Sequence, residues 1–172
     1  EDYVTVPPEA FSSIEAQVTI AFWAFGDPDI QPQADCCFSA MQDVANDQSR
    51  AVQCHLPWSN GTVFWDTGGA GYDRISKAAT PAEYEGSWQH WTFIKNTDTG
   101  EQSIYLNGVL WHTGTGFSLP MTGVTAFSIG SRADGIQNYD GMMDDFRLYD
   151  RALTPEEIAW IAGITQPSDR PF

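Results

Sequence analysis

The sequence predicts an all-β protein: a two-sheet antiparallel sandwich with one short C-terminal helix. Short runs rich in β-branched and aromatic residues alternate with turn signals at intervals of roughly 8–12 residues, as in sandwich domains. The run from 18 to 25, VTIAFWAF, is apolar on both faces, which favours a central strand. Asn107-Gly108 is the strongest turn signal, because this dipeptide adopts the type I′ turn of a β-hairpin.

Each expected strand is bounded by recognisable turn residues. Pro7-Pro8 ends the first strand, 57–61 forms a turn, 68–71 reads as a flexible glycine-rich loop, and 97–100 closes a hairpin. The expected strands are 2–6, 18–25, 37–44, 50–56, 62–66, 72–77, 87–96, 102–106, 109–113 and 124–130, followed by a closing strand that begins at residue 141.

The stretch from 141 to 163 combines the closing strand with the helix. Thr154 is expected as the N-cap, Pro155 as the first helical residue and Glu157 as its capping-box partner. Gly163 is expected just after the helix, where a left-handed residue is favoured. In the strand, the expected buried positions are Met143, Phe146 and Leu148.

Composition fits one domain with a substantial core. The chain has 172 residues, 42% hydrophobic, and carries 23 acidic against 8 basic side chains, for a net charge of −15. This charge disfavours binding to nucleic acid or to anionic membranes. It indicates divalent-cation binding or life in a salty medium that screens the repulsion, and the alternative is solubility alone. No apolar run approaches the roughly 20 residues that a membrane helix needs.

Three cysteines are present: Cys36, Cys37 and Cys54. They do not fit a zinc site, which needs about four suitably spaced ligands. A bond from Cys54 to one of the others would leave an odd thiol. If 38–43 pairs with 51–56, Cys54 lies opposite a residue near Met41, which counts against a cross-strand bridge. A vicinal disulfide between the first two and buried free thiols are the other interpretations.

Four segments resemble one known family in the same order along the chain. They are DYVTVP, VTIAFWAF, SWQHWTFIKNTDTGEQSIYLNGVLWHTG and GMMDDFRLYDRALTPEEI. These segments are similar to the laminin-G-like, concanavalin A-like jelly-roll domains. The resemblance implies one such domain over 1–165, with 166–172 as a C-terminal linker. Because the first residues already read as a strand, we expect either a piece of a longer secreted or cell-surface protein or a processed one.

The resemblance also implies a calcium site. Asp144 occupies the acid position of the family's Gly-x-Ile-Asp motif, here Gly141-Met142-Met143-Asp144, where an acid often helps to hold a structural Ca²⁺ near the N-terminal strand. Asp2 or Glu1 is then the expected partner. The alternative is that Asp144 caps a turn or pairs with Arg147 or Arg151.

The best candidate for ligand binding is the stretch from 55 to 74. Sugar sites combine an aromatic face with amides, carboxylates and arginines that bond hydroxyl groups. Trp65 is expected in the core, whereas the tryptophan of the Pro-Trp-Ser-Asn-Gly turn is hard to explain there. Asp66, at the end of the expected strand 62–66, can bind a ligand or calcium, or form an Asx turn. The candidate residues are Trp58, Asn60, Asp66, Tyr72 and Arg74.

A second candidate is the polar loop before the closing strand, with Arg132, Asp134 and Asn138 as its ligand-binding residues. Its alternative role is an ordinary solvated connection. Trp111 fits either packing or binding. Four other tryptophans are assigned to packing: Trp23, Trp88, Trp91 and Trp160.

No catalytic arrangement is predicted. A glycosidase needs two carboxyl groups roughly 5–9.5 Å apart. Glu83 and Glu85 have a suitable spacing but lie in an expected loop, and Asp144 and Asp145 are adjacent, so a regular strand would point them to opposite faces.

The sequence therefore predicts a non-catalytic, calcium-containing carbohydrate-binding module of a secreted or cell-surface protein, such as an adhesin or a polysaccharide-degrading enzyme. Its expected partner is a glycan, with neither nucleic-acid binding nor membrane insertion. The alternatives are a protein-interaction or structural laminin-G-like module and, third, a small glycosidase or lyase.

Overall fold

A computed structural model describes residues 2–164, and its two antiparallel sheets confirm the predicted jelly-roll sandwich. The expected linker 166–172 and Glu1 lie outside the described residues. The strands are β1 Val4–Val6, β2 Gln17–Gly26, β3 Phe38–Met41, β4 Ser49–His55, β5 Thr62–Ala70, β6 Asp73–Ala78, β7 Gln89–Asn96, β8 Glu101–Leu106, β9 Val109–Thr115, β10 Ala126–Ile129 and β11 Gly141–Tyr149.

The strands divide into a six-stranded sheet, ordered β1-β10-β3-β4-β5-β6, and a five-stranded sheet, ordered β11-β2-β7-β8-β9. Three short helical segments accompany them: a 3₁₀ turn at Pro8–Phe11, α1 at Pro81–Tyr84 and α2 at Pro155–Ile161. Within residues 2–164, no helix is long and apolar enough to cross a membrane.

Aromatic side chains fill the space between the sheets. Phe22 and Phe93 come from the five-stranded sheet, Phe38 and Trp65 from the six-stranded one, and all four are fully buried. Their ring centroids lie 5.5–5.9 Å apart in stacked, tilted and edge-on pairs. Trp65 Nε1 donates to the Ile94 carbonyl at 3.0 Å, so this buried indole has a hydrogen-bond partner.

A β-bulge shapes the closing strand β11. Its pairing with β2 shifts register between Asp144 and Arg147, and Asp145 has a left-handed φ of 52°. The extra residue breaks the two-residue alternation of a strand. Met143 and Phe146, three positions apart, can therefore both pack on the core, together with Leu148.

Helix α2 has the predicted caps. Thr154 Oγ1 accepts from the Glu157 amide at 3.3 Å, and the Glu157 carboxylate accepts from the Thr154 amide at 2.9 Å. At the other end, Gly163 has φ 75°, and the amide of Ile164 donates to Ala159 in the manner of a Schellman motif. The helix packs its buried Ile158 on the outer face of the five-stranded sheet.

Helix α1 differs from the sequence prediction, which places this segment in a loop. The segment Thr80-Pro81-Ala82-Glu83 carries the same capping signature as the start of α2. Glu83 accepts from the amide of Thr80 at 2.7 Å. The sequence signal was present, but its run is too short to show helical periodicity.

The glycine-rich loop expected at 68–71 is wrong, since β5 continues through Gly68 and Gly69 to Ala70. A Cβ on Gly68 would lie 2.3 Å from the Leu119 side chain, and one on Gly69 would lie 2.4 Å from the Gln42 amide. These glycines allow close approach of neighbouring segments rather than flexibility.

The expected register of the β3–β4 hairpin is also wrong. Cys54 lies opposite Phe38, not near Met41, which brings it next to Cys37. The thiols of Cys36, Cys37 and Cys54 are all fully buried, and none forms a disulfide within the part of the chain that the structure describes. Burial raises the pKa of each thiol.

Two tryptophans assigned to packing are exposed. Trp88 is 43% exposed beside Phe25, just before β7 begins, and Trp160 is 67% exposed on α2. The helix is amphipathic over two turns, and its tryptophan falls on the solvent side. Trp91 is buried, as expected, and Trp23 is half-buried against His90.

We expect Thr154→Ala to lower the free energy of unfolding by about 1 kcal/mol, because the first turn of α2 loses its N-cap. Thr115→Ala, at an exposed position at the end of β9, should change it by less than about 0.5 kcal/mol. Urea denaturation followed by circular dichroism measures both. Equal effects of the two substitutions would contradict a stabilising capping box.

Candidate functional site

A polar row crosses the outer face of the six-stranded sheet. Alternation along each strand sends apolar side chains inward and leaves polar ones at the opposite positions. One residue of each strand contributes to the row, and consecutive members are register partners: Thr5, Ser128, Ser39, Gln53, Asp66 and Arg74.

Asp66 is the electrostatic centre of this row. Its side chain is fully buried and accepts from Arg50 Nη1 at 2.6 Å and from Arg74 Nη2 at 2.7 Å, with Arg74 Nε on its other oxygen. The prediction that Asp66 ends its strand is wrong, because the residue lies in the middle of β5, and it forms no Asx turn. Because both carboxylate oxygens are occupied, its geometry suits holding the two guanidinium groups rather than contacting a ligand.

Tyr72 lies beside both arginines. Its ring centroid is 4.6 Å from the guanidinium carbon of Arg50 and 4.9 Å from that of Arg74. The Arg74 guanidinium also covers the ring of Phe64 at 4.5 Å. Pairing with Asp66 raises the pKa of Arg74, so this charge is permanent. These contacts place a half-buried tyrosine and a fixed cation at the surface of the sheet.

The aromatic surface continues from Phe64 towards the turn before β5. Its ring lies 6.2 Å from His55, and His55 lies 4.7 Å from Trp58, edge to face. Trp58 is half-buried, in agreement with its predicted position outside the core. We call Trp58, His55, Phe64 and Tyr72 the aromatic strip.

Asn60 lies in the turn next to the aromatic strip. Its Oδ1 accepts from the amide of Thr62 at 3.0 Å, which is an Asx turn, and its side chain is exposed. The turn therefore accounts for the asparagine oxygen, while its amide nitrogen faces no hydrogen-bond partner in the described residues.

The second predicted loop lies at the other side of the same face. Arg132 Nε donates to Asp134 at 3.0 Å, and this ion pair raises the pKa of the arginine. Asp47 connects this loop to the two arginines on Asp66. Its carboxylate attracts the Arg132 guanidinium, and its backbone carbonyl accepts from Arg50 Nε at 2.7 Å. Asn138 follows in the loop and lines a cavity that this loop forms with the segment from Gln33 to Asp35.

A buried polar network that no sequence pattern predicts lies beneath this face. Asp35 is 1% exposed, and its Oδ2 accepts from Gln31 Nε2 and, at 3.3 Å, from the Asp140 amide. Its backbone carbonyl lies 2.6 Å from His55 Nδ1, so the network touches the aromatic strip. Burial raises the pKa of Asp35 to about 8 and lowers that of His55 to about 4.

The two expected calcium ligands share a different cavity. Asp2 and Asp144 line an open cavity of about 390 Å³ between the N-terminal segment and β11. Asp144 Oδ1 accepts from the Asp145 amide at 2.7 Å, so it does cap the bulge, while Arg147 pairs with Asp145 instead.

Carboxylates with nearby backbone carbonyls are the oxygen donors that Ca²⁺ prefers, so the donor chemistry of this cavity fits the ion. Within residues 2–164, however, no group of three or more histidine, cysteine or acidic side chains gathers around one point.

Of the two acids whose spacing suits catalysis, Glu83 has a structural role. Glu83 caps α1 and accepts from Trp111 Nε1 at 2.7 Å. Trp111 is half-buried at the rim of the core and packs edge-on against Trp91. Of its two expected roles, packing and binding, these contacts favour packing. Glu85 forms an isolated backbone bridge with Gly26, while its carboxylate Oε2 is buried without a hydrogen-bond partner among residues 2–164.

Fold and sequence together define a laminin-G-like jelly-roll domain. The chain belongs to the concanavalin A-like lectin/glucanases superfamily, whose family model matches residues 1–159. Neuronal pentraxin receptors of Rattus norvegicus and Homo sapiens are 29% identical over 92 residues, which is 48% of this chain. The match spans less than a fifth of the receptors' own length, at 19% and 18%.

Similar solved structures include carbohydrate-associated domains. Domain 4 of AbnA, an extracellular arabinanase of Geobacillus stearothermophilus in complex with arabinotriose, has a TM-score of 0.67 at 20% identity, covering 87% of this chain and 68% of that one. The receptor-binding domain of botulinum neurotoxin mosaic serotype C/D gives 0.71 at 16%, covering 94% and 40%. The NanB sialidase of Streptococcus pneumoniae gives 0.71 at 12%, covering 92% and 26%. At these identities the likeness shows the fold alone.

Buried titrating groups predict a stability maximum near pH 6.5 in metal-free buffer. His55 and His90 both have a pKa lowered to about 4 by burial, so their contributions to stability rise with pH from 4 to about 6.5. Asp35, with its pKa raised to about 8, binds its proton more tightly when folded, so its contribution falls as pH rises to 8. The rising contributions of His55 and His90, together with that of His112, whose pKa burial also lowers, exceed the falling contribution of Asp35 below pH 6.5, and the decline due to Asp35 continues above it to about pH 8.

Thermal unfolding measured at half-unit steps from pH 4 to 9 checks this expectation. Asp35→Asn should remove the decline between pH 6.5 and 8 and leave the rise below it. A decline of the same size in this variant would show that another group titrates there.

Proposed function

We propose that this domain is a non-catalytic carbohydrate-binding module of a secreted or cell-surface protein and that it binds its glycan on the aromatic strip. The observation that carries the proposal is the combination of the strip with the partly exposed guanidinium group of Arg74, which Asp66 fixes beside the buried Arg50. Aromatic faces pack on the apolar C–H patches of sugar rings, and guanidinium N–H groups donate to hydroxyl oxygens.

Fixation by Asp66 makes these donors effective. A long arginine side chain loses rotamer freedom when it binds a ligand, and that loss weakens binding. Here Arg50 and Arg74 already have one geometry, because the buried carboxylate and the Tyr72 ring hold them. We assign Asp66 a positioning role and place Asn60, with its exposed amide, at the end of the strip.

The second loop extends the same proposal. Arg132 and Asp134 present a fixed ion pair near Arg50, and Asn138 lies in the same loop. We infer that these residues contact parts of an oligosaccharide beyond the sugar that packs on the strip. This inference is supported by the position of the loop, which lies on the same outer face of the six-stranded sheet as the aromatic strip.

The comparisons support a glycan as the partner. The arabinanase domain with a similar fold is described in complex with arabinotriose and belongs to an extracellular enzyme. We transfer from it the class of ligand and the extracellular setting, and we propose that the module serves an adhesin or a polysaccharide-degrading enzyme.

A second candidate function is protein interaction. Trp160, 67% exposed, lies beside Tyr149 and Ile161 along an open groove on α2. Exposed tryptophans are enriched at protein interfaces, and a matching relative is a neuronal pentraxin receptor. This surface is remote from the aromatic strip, since α2 packs on the other sheet.

A glycan array probed with the isolated domain should show binding. Calorimetry with the glycan that binds best then measures the affinity of the unmodified domain and of its variants, which locates the binding surface. We expect Trp58→Ala and Tyr72→Ala each to weaken the affinity about tenfold, because each loses a stacking surface worth roughly 1.4 kcal/mol.

Trp88→Ala is the matched control, because Trp88 is exposed but lies outside the strip. It should leave the affinity unchanged. The proposal fails if no glycan binds, or if Trp88→Ala abolishes binding while the two strip variants retain it.

We also propose that Asp2 and Asp144 bind one structural Ca²⁺. When bound, the ion supplies a positive charge that neutralises the two carboxylates and links the N-terminal segment to β11. The shared cavity supports this assignment. The acidity of the chain agrees with it, since 23 carboxylates are present.

Calorimetric titration with calcium after EDTA treatment should show Asp144→Asn binding one ion fewer than the unmodified chain. Asp150→Asn, on an exposed residue just past the same strand, should lose none. Full retention of calcium by Asp144→Asn would remove this site from the proposal without affecting the aromatic strip.

A further inference from the structure

A second cavity, separate from the one that contains Asp2 and Asp144, lies between the loop after β2 and the loop before β11. Its volume is about 380 Å³, and Gln33, Asp35, Gln137 and Asp140 are among the residues that line it. The two loops meet directly here, because the Cys36 amide donates to the Gln137 carbonyl at 2.8 Å.

Two oxygen atoms in this cavity are buried without hydrogen-bond donors. Asp35 is 99% buried, and while its Oδ2 is bonded, its Oδ1 has no partner among the described residues. Gln137 Oε1 is likewise buried and lacks a donor within residues 2–164. Native proteins rarely leave such acceptors unsatisfied, because removing them from water costs free energy that only a donor or a cation restores.

The chemistry of the cavity selects a cation. Both unsatisfied atoms are oxygen acceptors, and the charged side chains at the cavity, Asp35 and Asp140, are acidic. An anion would meet only negative charge. Oxygen donors from carboxylates and a side-chain amide, completed by water, are typical of Ca²⁺, which tolerates irregular geometry better than Mg²⁺.

We propose that Asp35 and Gln137, with Asp140, form a calcium site that joins these two loops beneath the outer face of the six-stranded sheet. The site is independent of Asp144 and does not depend on glycan binding. It takes one carboxylate oxygen from Asp35, the amide oxygen of Gln137 and the carboxylate of Asp140.

The position of this site gives it a structural consequence. The carbonyl of Asp35 holds His55, and His55 supports Trp58. A cation that fixes the loop from 27 to 37 therefore also fixes one end of the aromatic strip. In the other loop, Gln137 has a left-handed φ of 57°, next to the segment that contains Arg132 and Asp134.

Calcium titration of the EDTA-treated chain by calorimetry tests the proposal. Asp35→Asn should bind one ion fewer than the unmodified chain, and the Asp35→Asn/Asp144→Asn double variant should bind none if both sites exist. Gln137→Asn, which shortens the side chain and tolerates the left-handed backbone, should weaken this site by at least about tenfold. Gln48→Asn, at an exposed position, is the matched control and should change nothing.

The variants also separate this site from the other proposals. If Asp144→Asn retains every ion while Asp35→Asn loses one, the Asp35 site stands and the Asp144 site fails. If the unmodified chain binds no calcium, or if folded Asp35→Asn retains every ion, the Asp35 site is overturned. Near-ultraviolet circular dichroism checks folding. If Asp35→Asn does not fold, Gln137→Asn decides the question, and an unchanged calcium affinity in that variant overturns the site.

Discussion

Burial of the aromatic layer between the two sheets is the constraint on which the rest of the structure depends. Phe22, Phe38, Trp65 and Phe93 can meet only if every strand presents alternate residues inward. The same alternation sends the intervening residues of β3, β4, β5 and β6 to the outside. The polar outer face is therefore a direct consequence of how the core is built.

That outer face is unusual because much of it is shielded from water. Ser39, Gln53 and Asp66 are all fully buried although they point away from the core. Loops and long side chains cover them, and hydrogen bonds must replace the lost water. The paired guanidinium groups on Asp66 satisfy this requirement, and that of Arg74 is partly exposed beside Tyr72.

The loops on this face are held by hydrogen bonds that satisfy their buried polar groups. Asp35 collects donors from Gln31 and from the Asp140 backbone, and its carbonyl engages His55. The proposed glycan surface and the proposed cation site thus share one supporting network. A change at Asp35 is expected to reach Trp58 through two contacts, with no change to the strands themselves.

The sequence by itself determined the elements that local chemistry specifies. The Asn107-Gly108 turn, with both residues at positive φ, and the capped helix beginning after Thr154 follow from short patterns. The sandwich class followed from strand composition and spacing, and Trp65 and Trp58 fell inside and outside the core as their neighbours indicated. The one-turn helix at 81–84 could have been found from its capping signature.

Only the tertiary structure decided which distant residues meet. Asp66 acquired its two arginines because β4 and β6 flank β5, and no local pattern specifies that order. The bulge at Asp145 changed which side chains share a face, and the register of β3 against β4 moved Cys54 next to Cys37. Burial of Asp35 likewise depends on two loops about a hundred residues apart in sequence. Local propensity acts over a few residues, whereas pairing order, register and loop coverage are set by packing of the whole chain.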